Sequence, residues 1–416
     1  MKLIYSLILT TTIVNALVLS NCTKPSVPAP DKGTDPAANI IKKTAPARLP
    51  LITEEEVTFY PTYGYQKDGK WNIHLRGWVH ENREHLNKFL TKVAEVKNKC
   101  SGTEISNFQS RSDDFEDDDK SFETVIVKFD SDPEDTPYTF KRSASVGIVE
   151  IDLTLPDEKG RQLLDKQGST NGWLTFRAVS KDHTGLGRVR LIESEGISVV
   201  SDIDDTIKVT EIPAGQDVVL RNTFCHDFKA ALEMARMYAE LGDAAFHYVS
   251  GGPEQMFGPL YDFLIVGPGG FPEGTFHLKF FPKNLLSSEA RENLKRLAAG
   301  SLEITFEHKV KEITALMKNF PNRQFILVGD SGEVDPEVYN EIRSVRGGQV
   351  KEIWIRDVLN DAEASANPYR LEGMKVIKVS PAVCIEEKHF DRLSARVKQT
   401  YPSKEYKRNA APPCNQ

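Results

Sequence analysis

The sequence predicts an α/β protein in two parts: a parallel sheet with helices on both faces, preceded by a smaller β-rich, sandwich-like domain. Between Val57 and Val189 apolar residues alternate at a period of two, the signature of half-buried strands. After Gly196 short apolar runs alternate with stretches of helical periodicity, the signature of a parallel sheet covered on both faces. At 416 residues, 39% hydrophobic and 27% charged, the chain has room for two or three cores and falls outside the disordered class. Its 53 Lys+Arg against 60 Asp+Glu leave a net charge of −7, which argues against nucleic acid as a partner.

Residues 1–21 read as a signal peptide. Lys2 precedes an apolar stretch of 17 residues, Leu3 to Leu19, marginal for crossing a hydrocarbon core. Leu19-Ser20-Asn21-Cys22 resembles a bacterial lipoprotein signal, in which a Leu three positions before a Cys directs lipidation of that Cys; Asn21 stands where Ala or Gly is usual. The resemblance implies lipidation of Cys22 and an exported lipoprotein on the periplasmic or cell-surface side of a membrane, the outer membrane first. Ordinary secretion with an incidental Cys22 is the alternative. Residues 22–50, rich in Pro and Ala, read as a tether. Cys100, Cys225, Cys384 and Cys414 allow three pairings, and the sequence leaves all three open.

Residues 51–194 form the β-rich part. Ile73, Leu75 and Val79 share one face of a strand, and Val149, Ile151, Leu153 and Leu155 share another. Thr124–Phe129, Trp173–Val179 and Arg188–Ile192 are further strands, and Leu86, Phe89, Leu90 and Val93 carry helical spacing. Trp71 and Trp78 suit packing better than ligand contact. The acidic run Asp113–Asp119 lacks the glycine and terminal glutamate of a calcium loop, so it reads as an exposed turn.

Residues 195–400 carry the chemistry, and 401–416 read as a flexible tail. Strands are expected at Ile197–Ser201, Phe246–Val249, Phe276–Phe281, Phe325–Val328 and Glu352–Ile355. Helices are expected at Ala230–Leu241, Gln255–Leu264, Ser288–Ala298 and Val310–Asn319. Ligands of such sheets bind beyond the carboxyl ends of the strands. There the sequence places Asp202-Ile203-Asp204-Asp205-Thr206, Ser250-Gly251-Gly252 and Gly329-Asp330-Ser331-Gly332-Glu333-Val334-Asp335, with Lys309 at a helix start. Converging carboxylates need a cation, and Mg²⁺ suits oxygen ligands and phosphate. Gly329–Gly332 also echoes the nucleophile segment of trypsin-like proteases, but that fold is all-β. No Walker loop, HExxH helix or GxSxG elbow is present.

DIDDT, the serine, the lysine and GDSGEVD, in this order, resemble the four motifs of haloacid-dehalogenase (HAD)-superfamily phosphatases. VVSDIDDTIKVTEI, YVSGGPEQMFGPLYDFL, FPEGTFHLKFF, the run HKVKEITALMKNFPNRQFILVGDSGEVDPEVYNEI and IWIRDV narrow the resemblance to the App1-like phosphatidate phosphatase family over about residues 195–358. The resemblance implies a HAD-like sheet and a Mg²⁺-dependent phosphomonoester hydrolase converting phosphatidate to diacylglycerol. Asp202 would be the nucleophile and Asp204 the general acid and base. Lys309 would compensate charge, Ser250 and Gly251 would hold phosphoryl oxygens, and Thr206 would brace the loop. Asp202, Asp204 through its carbonyl, Asp330 and, in support, Asp335 would hold Mg²⁺. Gly252 and Glu254 stand where the family usually has Ser and Trp. The intervals from Asp202 to Ser250 and from Ser250 to Lys309 hold no large cap, so an open site facing a membrane-borne phospholipid is expected. A soluble or polymer-linked phosphomonoester is the second reading, and an inactive surface-anchored binding protein the third; intact Asp202, Asp204 and Asp330 argue against that last one.

Overall fold

The computed structural model describes residues 55–81, 100–116, 118–143, 146–280, 302–408 and 411–414. The expected signal and tether, Cys22, and the helices expected near residues 86–93 and 288–298 lie outside the described residues. The described residues belong to one compact unit.

The front sheet is built from β1 (Glu55–Phe59), β2 (Thr62–Lys67), β3 (Lys70–Glu81), β4 (Ile126–Phe129), β5 (Ile148–Pro156), β6 (Trp173–Ala178) and β7 (Leu186–Ile192). Three two-residue strands, Asp118–Asp119, Tyr138–Thr139 and His183–Thr184, complete a ten-stranded network. β3 is its hub. Lys70–Ile73 pair with β2, Gly77–His80 pair with β1, and Lys70–Trp78 pair with β5, all antiparallel. Every second residue of β3 points inward, so Trp71, Ile73, Leu75 and Val79 join Val149, Phe176 and Val189 in one core. The β-rich, sandwich-like part expected from the sequence is one hydrogen-bonded network with β3 at its centre, whose 12 residues serve partners along both edges. Trp71 and Trp78 are both buried, as expected.

Two helices border this sheet, α1 (Glu104–Glu116) and α2 (Asp157–Gln167). The acidic run expected as a turn from Asp113 therefore begins inside α1. Its buried stripe, Phe108, Arg111 and Ser112, has helical spacing but is mostly polar, and Arg111 donates to the carbonyls of Thr223 (3.0 Å) and His226 (2.6 Å).

The second sheet has six parallel strands: β8 (Ile197–Ser201), β9 (Ala245–Pro253), β10 (Gly274–Lys279), β11 (Gln324–Asp330), β12 (Val350–Asp357) and β13 (Lys375–Lys378). Their order is β10-β9-β8-β11-β12-β13. The chain starts at the centre and builds outward both ways, so the order reverses between β8 and β11, where such sheets open a crevice. Successive residues serve opposite faces: Val199, Phe246 and Val328 enter one core, while Val200, Ala245 and Leu327 enter the other. Helices α3 (Leu232–Ala239), α4 (Leu302–Asn319), α5 (Asp335–Arg346) and α6 (Glu387–Thr400) accompany the strands.

Tyr60 and Trp78 of the front sheet share a core with Val199 and Phe246, and the Phe276 amide donates to the Pro61 carbonyl (3.1 Å). The two sheets are thus packed together. α4 starts seven residues before Lys309 rather than at it, because buried Leu302 and Ile304 extend its stripe backward. The segment expected to be a flexible tail is held down. Tyr406 is buried and donates to Asp361 (3.2 Å), and Cys414 is bonded to Cys384. The other bridge is Cys100–Cys225, which selects one of the three possible pairings.

Candidate active site

The site forms in the crevice between β8 and β11. The Asp202 amide still donates to Val328 across the sheet (2.9 Å), so Asp202 stands at the edge of a fixed strand. The chain then doubles back. Asp205 adopts a left-handed φ of 58°, and its buried carboxylate accepts the amides of Thr210 (2.9 Å), Glu211 (2.7 Å) and Ile212 (2.6 Å). Arg356, at the end of β12, donates to the Asp205 carbonyl (2.9 Å) and locks this turn from the other side. Thr206 Oγ1, fixed by the turn, lies 3.0 Å from Asp202 Oδ2 and 3.4 Å from Asp330 Oδ2.

Lys309 reaches the same point from α4. Its ammonium lies 2.7 Å from Asp202 Oδ1 and 2.5 Å from Asp335 Oδ1, and all three side chains are buried. Asp335 Oδ2 accepts the Asp330 amide (3.1 Å), and Asp330 Oδ1 accepts the Gly332 amide (2.6 Å). Gly329 is required here: a Cβ at that position would fall 2.4 Å from Asp335 Oδ2. Carboxylate oxygens of Asp202, Asp330 and Asp335 lie within 4.8 Å of one another, a spacing that could hold a metal ion.

Asp204 points to a second cation. Its Oδ1 accepts from Lys208 Nζ (2.9 Å) and Thr210 Oγ1 (2.5 Å), and Lys208 also reaches Thr210 Oγ1 (2.6 Å). Ser250 lies near the end of β9, where its Oγ accepts the Gly252 amide (3.0 Å). A Cβ on Gly252 would sit 3.3 Å from Ser250 Oγ and 3.9 Å from Asp204 Oδ2, which places this turn against the Asp204 carboxylate. Gly251 faces Thr305 of α4.

The charges are unevenly compensated. Burial pushes the carboxyls of Asp202 and Asp330 well above the usual range; Lys309 counters this at Asp202, and the neighbouring carboxylates add to it at both. Burial would discharge Lys309, yet Asp202 and Asp335 outweigh it and hold the ammonium firmly protonated. Asp204 is desolvated too, but Lys208 and Thr210 bring its carboxyl below the usual range. The described residues thus supply one cation to three buried carboxylates at Asp202, Asp330 and Asp335, and all the open donors are oxygen.

The structure brings Asp202, Asp204, Thr206, Ser250, Gly251, Lys309, Asp330 and Asp335 to one sheet edge. It also assigns work to residues that motif reading passed over: Asp205, Lys208 and Thr210 shape the first loop. Arg370 binds the second loop from beneath, donating to Glu337 (2.7 and 2.9 Å), to the Ser331 carbonyl (3.0 Å) and to the Glu333 carbonyl (2.7 Å). The alternation in DIDDTIKVT was a signal for Lys208 and Thr210; nothing in the sequence around Arg370 marks it. Ser331 donates to Asp357 (2.9 Å), which leaves the protease echo without a nucleophile. His308 contacts the His277 carbonyl (3.3 Å), a structural role.

Residues 197–357 match the family described as phosphatidate phosphatase APP1, catalytic domain. The chain is 34% identical over 166 residues to phosphatidate phosphatase APP1 of Saccharomyces cerevisiae, covering 39% of this chain and 26% of that protein. An uncharacterised Schizosaccharomyces pombe protein is 25% identical over 184 residues, covering 42% and 27% respectively. The matched region spans about a quarter of the length of these curated relatives. A solved carbohydrate esterase structure aligns over 72% of the chain and 87% of its own at 12% identity and a TM-score of 0.19, too low to carry an argument.

Proposed function

We propose that the chain is a Mg²⁺-dependent phosphomonoester hydrolase of the HAD superfamily that dephosphorylates phosphatidate, or a related lipid phosphate, through an aspartyl-phosphate. The observation that carries this reading is the buried contact of 2.7 Å between Lys309 and Asp202 at the sheet edge. A carboxylate braced in this way is aimed, and its charge is countered where an anionic phosphate has to approach. The similarity of residues 197–357 to a phosphatidate phosphatase catalytic domain supports the substrate class.

In this reading an Asp202 oxygen attacks phosphorus in line, and the bond from phosphorus to the leaving alkoxide breaks. Ser250 and nearby amides hold phosphoryl oxygens. Asp204 rests ionised beside Lys208, so it takes up a proton before giving one to the alkoxide; its resting form is the one that accepts a proton from the hydrolytic water. The oxygen-only, charge-deficient set of Asp202 and Asp330 fits a hard cation. Together with the Asp204 carbonyl they would hold Mg²⁺, which when bound shields the charge of the phosphate. Asp335, whose oxygens hold Lys309 and the Asp330 amide, would orient both from a supporting place. Two disulfides support export of the chain to an oxidising compartment, and lipidation of Cys22 would set the site beside a bilayer.

The test is Mg²⁺-dependent phosphate release from phosphatidate in mixed micelles, compared with water-soluble aryl and sugar phosphates. Wild-type protein should favour phosphatidate, and Asp202→Asn should lose activity by about 10⁴-fold or more. Preference for soluble esters would move the substrate to the second reading. Well-folded protein inactive on every ester would overturn the enzyme reading.

A further inference from the structure

The front sheet holds a second cluster of ligand-type side chains, and the inference drawn from it is independent of the phosphatase reading. Glu55 opens β1, Glu123 lies in the loop before β4, and His183 sits in the two-residue strand that pairs in parallel with β1. His183 is 7% exposed. Its Nε2 lies 3.3 Å from Glu55 Oε2 and 3.8 Å from Glu123 Oε2. Among the described residues, neither His183 Nε2 nor Glu55 Oε2 makes a hydrogen bond. A buried imidazole nitrogen facing two carboxylates without an aligned proton between them wants a partner.

The spacing says which kind. Ligand atoms about 2.0–2.2 Å from a tetrahedral ion are separated by roughly 3.3–3.6 Å, close to both measured distances. The other ring nitrogen is anchored: His183 Nδ1 lies 3.0 Å from Ser180 Oγ, which also accepts the Ile126 amide (3.3 Å). When Nδ1–H donates to Ser180, Nε2 carries a lone pair directed at the carboxylates, the outer-partner arrangement common for metal-binding histidines. Lys120 lies 3.4 Å from Glu55 Oε1 and pairs with Glu81, so Glu55 keeps Oε2 for the site.

We propose that Glu55, Glu123 and His183 bind a divalent transition metal, zinc by preference, with water completing four ligands. An imidazole beside two carboxylates selects a borderline ion over hard Mg²⁺. Bound there, the ion would join the start of β1, the loop carrying Glu123 and the strand carrying His183, three segments distant in sequence.

The experiment uses full-length protein carrying Asp330→Asn, stripped with a chelator and kept in excess Mg²⁺, so that zinc at the candidate active site does not enter the count. Calorimetric titration with Zn²⁺ should give one ion per chain, and Co²⁺ should give the visible absorption of a four-coordinate site with nitrogen and oxygen ligands. His183→Gln or Glu123→Gln should weaken Zn²⁺ binding by about 100-fold or more, and Ser180→Ala by about 10-fold. In the otherwise wild-type chain, these substitutions should leave Mg²⁺-dependent phosphate release unchanged. Absence of a bound zinc, absence of a four-coordinate cobalt spectrum, or binding unaffected by both ligand substitutions would each overturn the proposal. The cobalt spectrum decides the matter even if a variant fails to fold, because it needs none of the ligand substitutions.

Discussion

Lys208 sets the protonation state of its neighbour. Its ammonium, buried beside Asp204 and held by Thr210, favours the carboxylate despite desolvation. Lys208→Met removes the cation while keeping much of the stem. The Asp204 carboxyl should then titrate at higher pH, so the limb of the pH–activity profile that it governs should move upward. An unmoved profile in folded protein would place proton transfer elsewhere. Residue-level legibility divides along the same line. Asp202, Asp204, Asp330 and Asp335 could be named from the sequence because the proposed chemistry needs fixed spacing after strands. Asp205 could not, because its role rests on a left-handed turn that aims its carboxylate at three amides.

At the scale of elements, the central strands were plain because apolar runs buried on both faces leave little alternative. β13 and α6 escaped notice because a four-residue edge strand and a half-exposed helix carry weak patterns. α6 nevertheless bears on the site. His389 donates from Nε2 to the Gly332 carbonyl (2.7 Å) in the loop that presents Asp330. Burial pushes its imidazole down to about 4, with the Gly332 bond opposing this. The unfolded chain, titrating near 6.5, binds the extra proton first, so stability from this group is full above about pH 6.5 and falls as pH drops toward 4. Denaturant melts should lose about 2 kcal/mol between pH 6.5 and 5 through this group. His389→Gln keeps a donor without the titration and should flatten that part of the slope; an identical slope in both proteins would assign the acid sensitivity to other groups.

At the scale of the whole molecule, the two bridges act over different spans. Cys384–Cys414 closes a separation of 30 residues around α6 and the C-terminal strap. Cys384→Ser with Cys414→Ser should lower stability by about 3–4 kcal/mol on the loop-closure estimate. Equal melting of oxidised wild-type and double-serine protein would mean that noncovalent contacts, such as those of Tyr406 with Asp361, of Lys407 with Asn367 and of Arg408 with Glu387, hold the strap. The broad plan, a β-rich part ahead of a parallel α/β sheet, was readable from periodicity. The way the parts meet was not, because contacts between Tyr60, Trp78 and the second core are long-range and leave no periodic trace.

That junction has a consequence for how the protein could be divided or inherited. Arg76 of β3 pairs with Glu254, four residues beyond Ser250, and with Glu150 of the front sheet. The cleft between the sheets, about 760 Å³, is lined from both sides by Tyr63, Arg76, Glu254, Phe276, His277 and Lys311. A gene fragment carrying only the matched segment would part Glu254 from its guanidinium and bare one wall of that cleft. The region shared with the fungal relatives is therefore not a portable cassette here. The edge that carries Ser250 is fitted to one neighbour, and a chain that keeps Glu254 but joins the segment to a different partner needs another cation in place of Arg76.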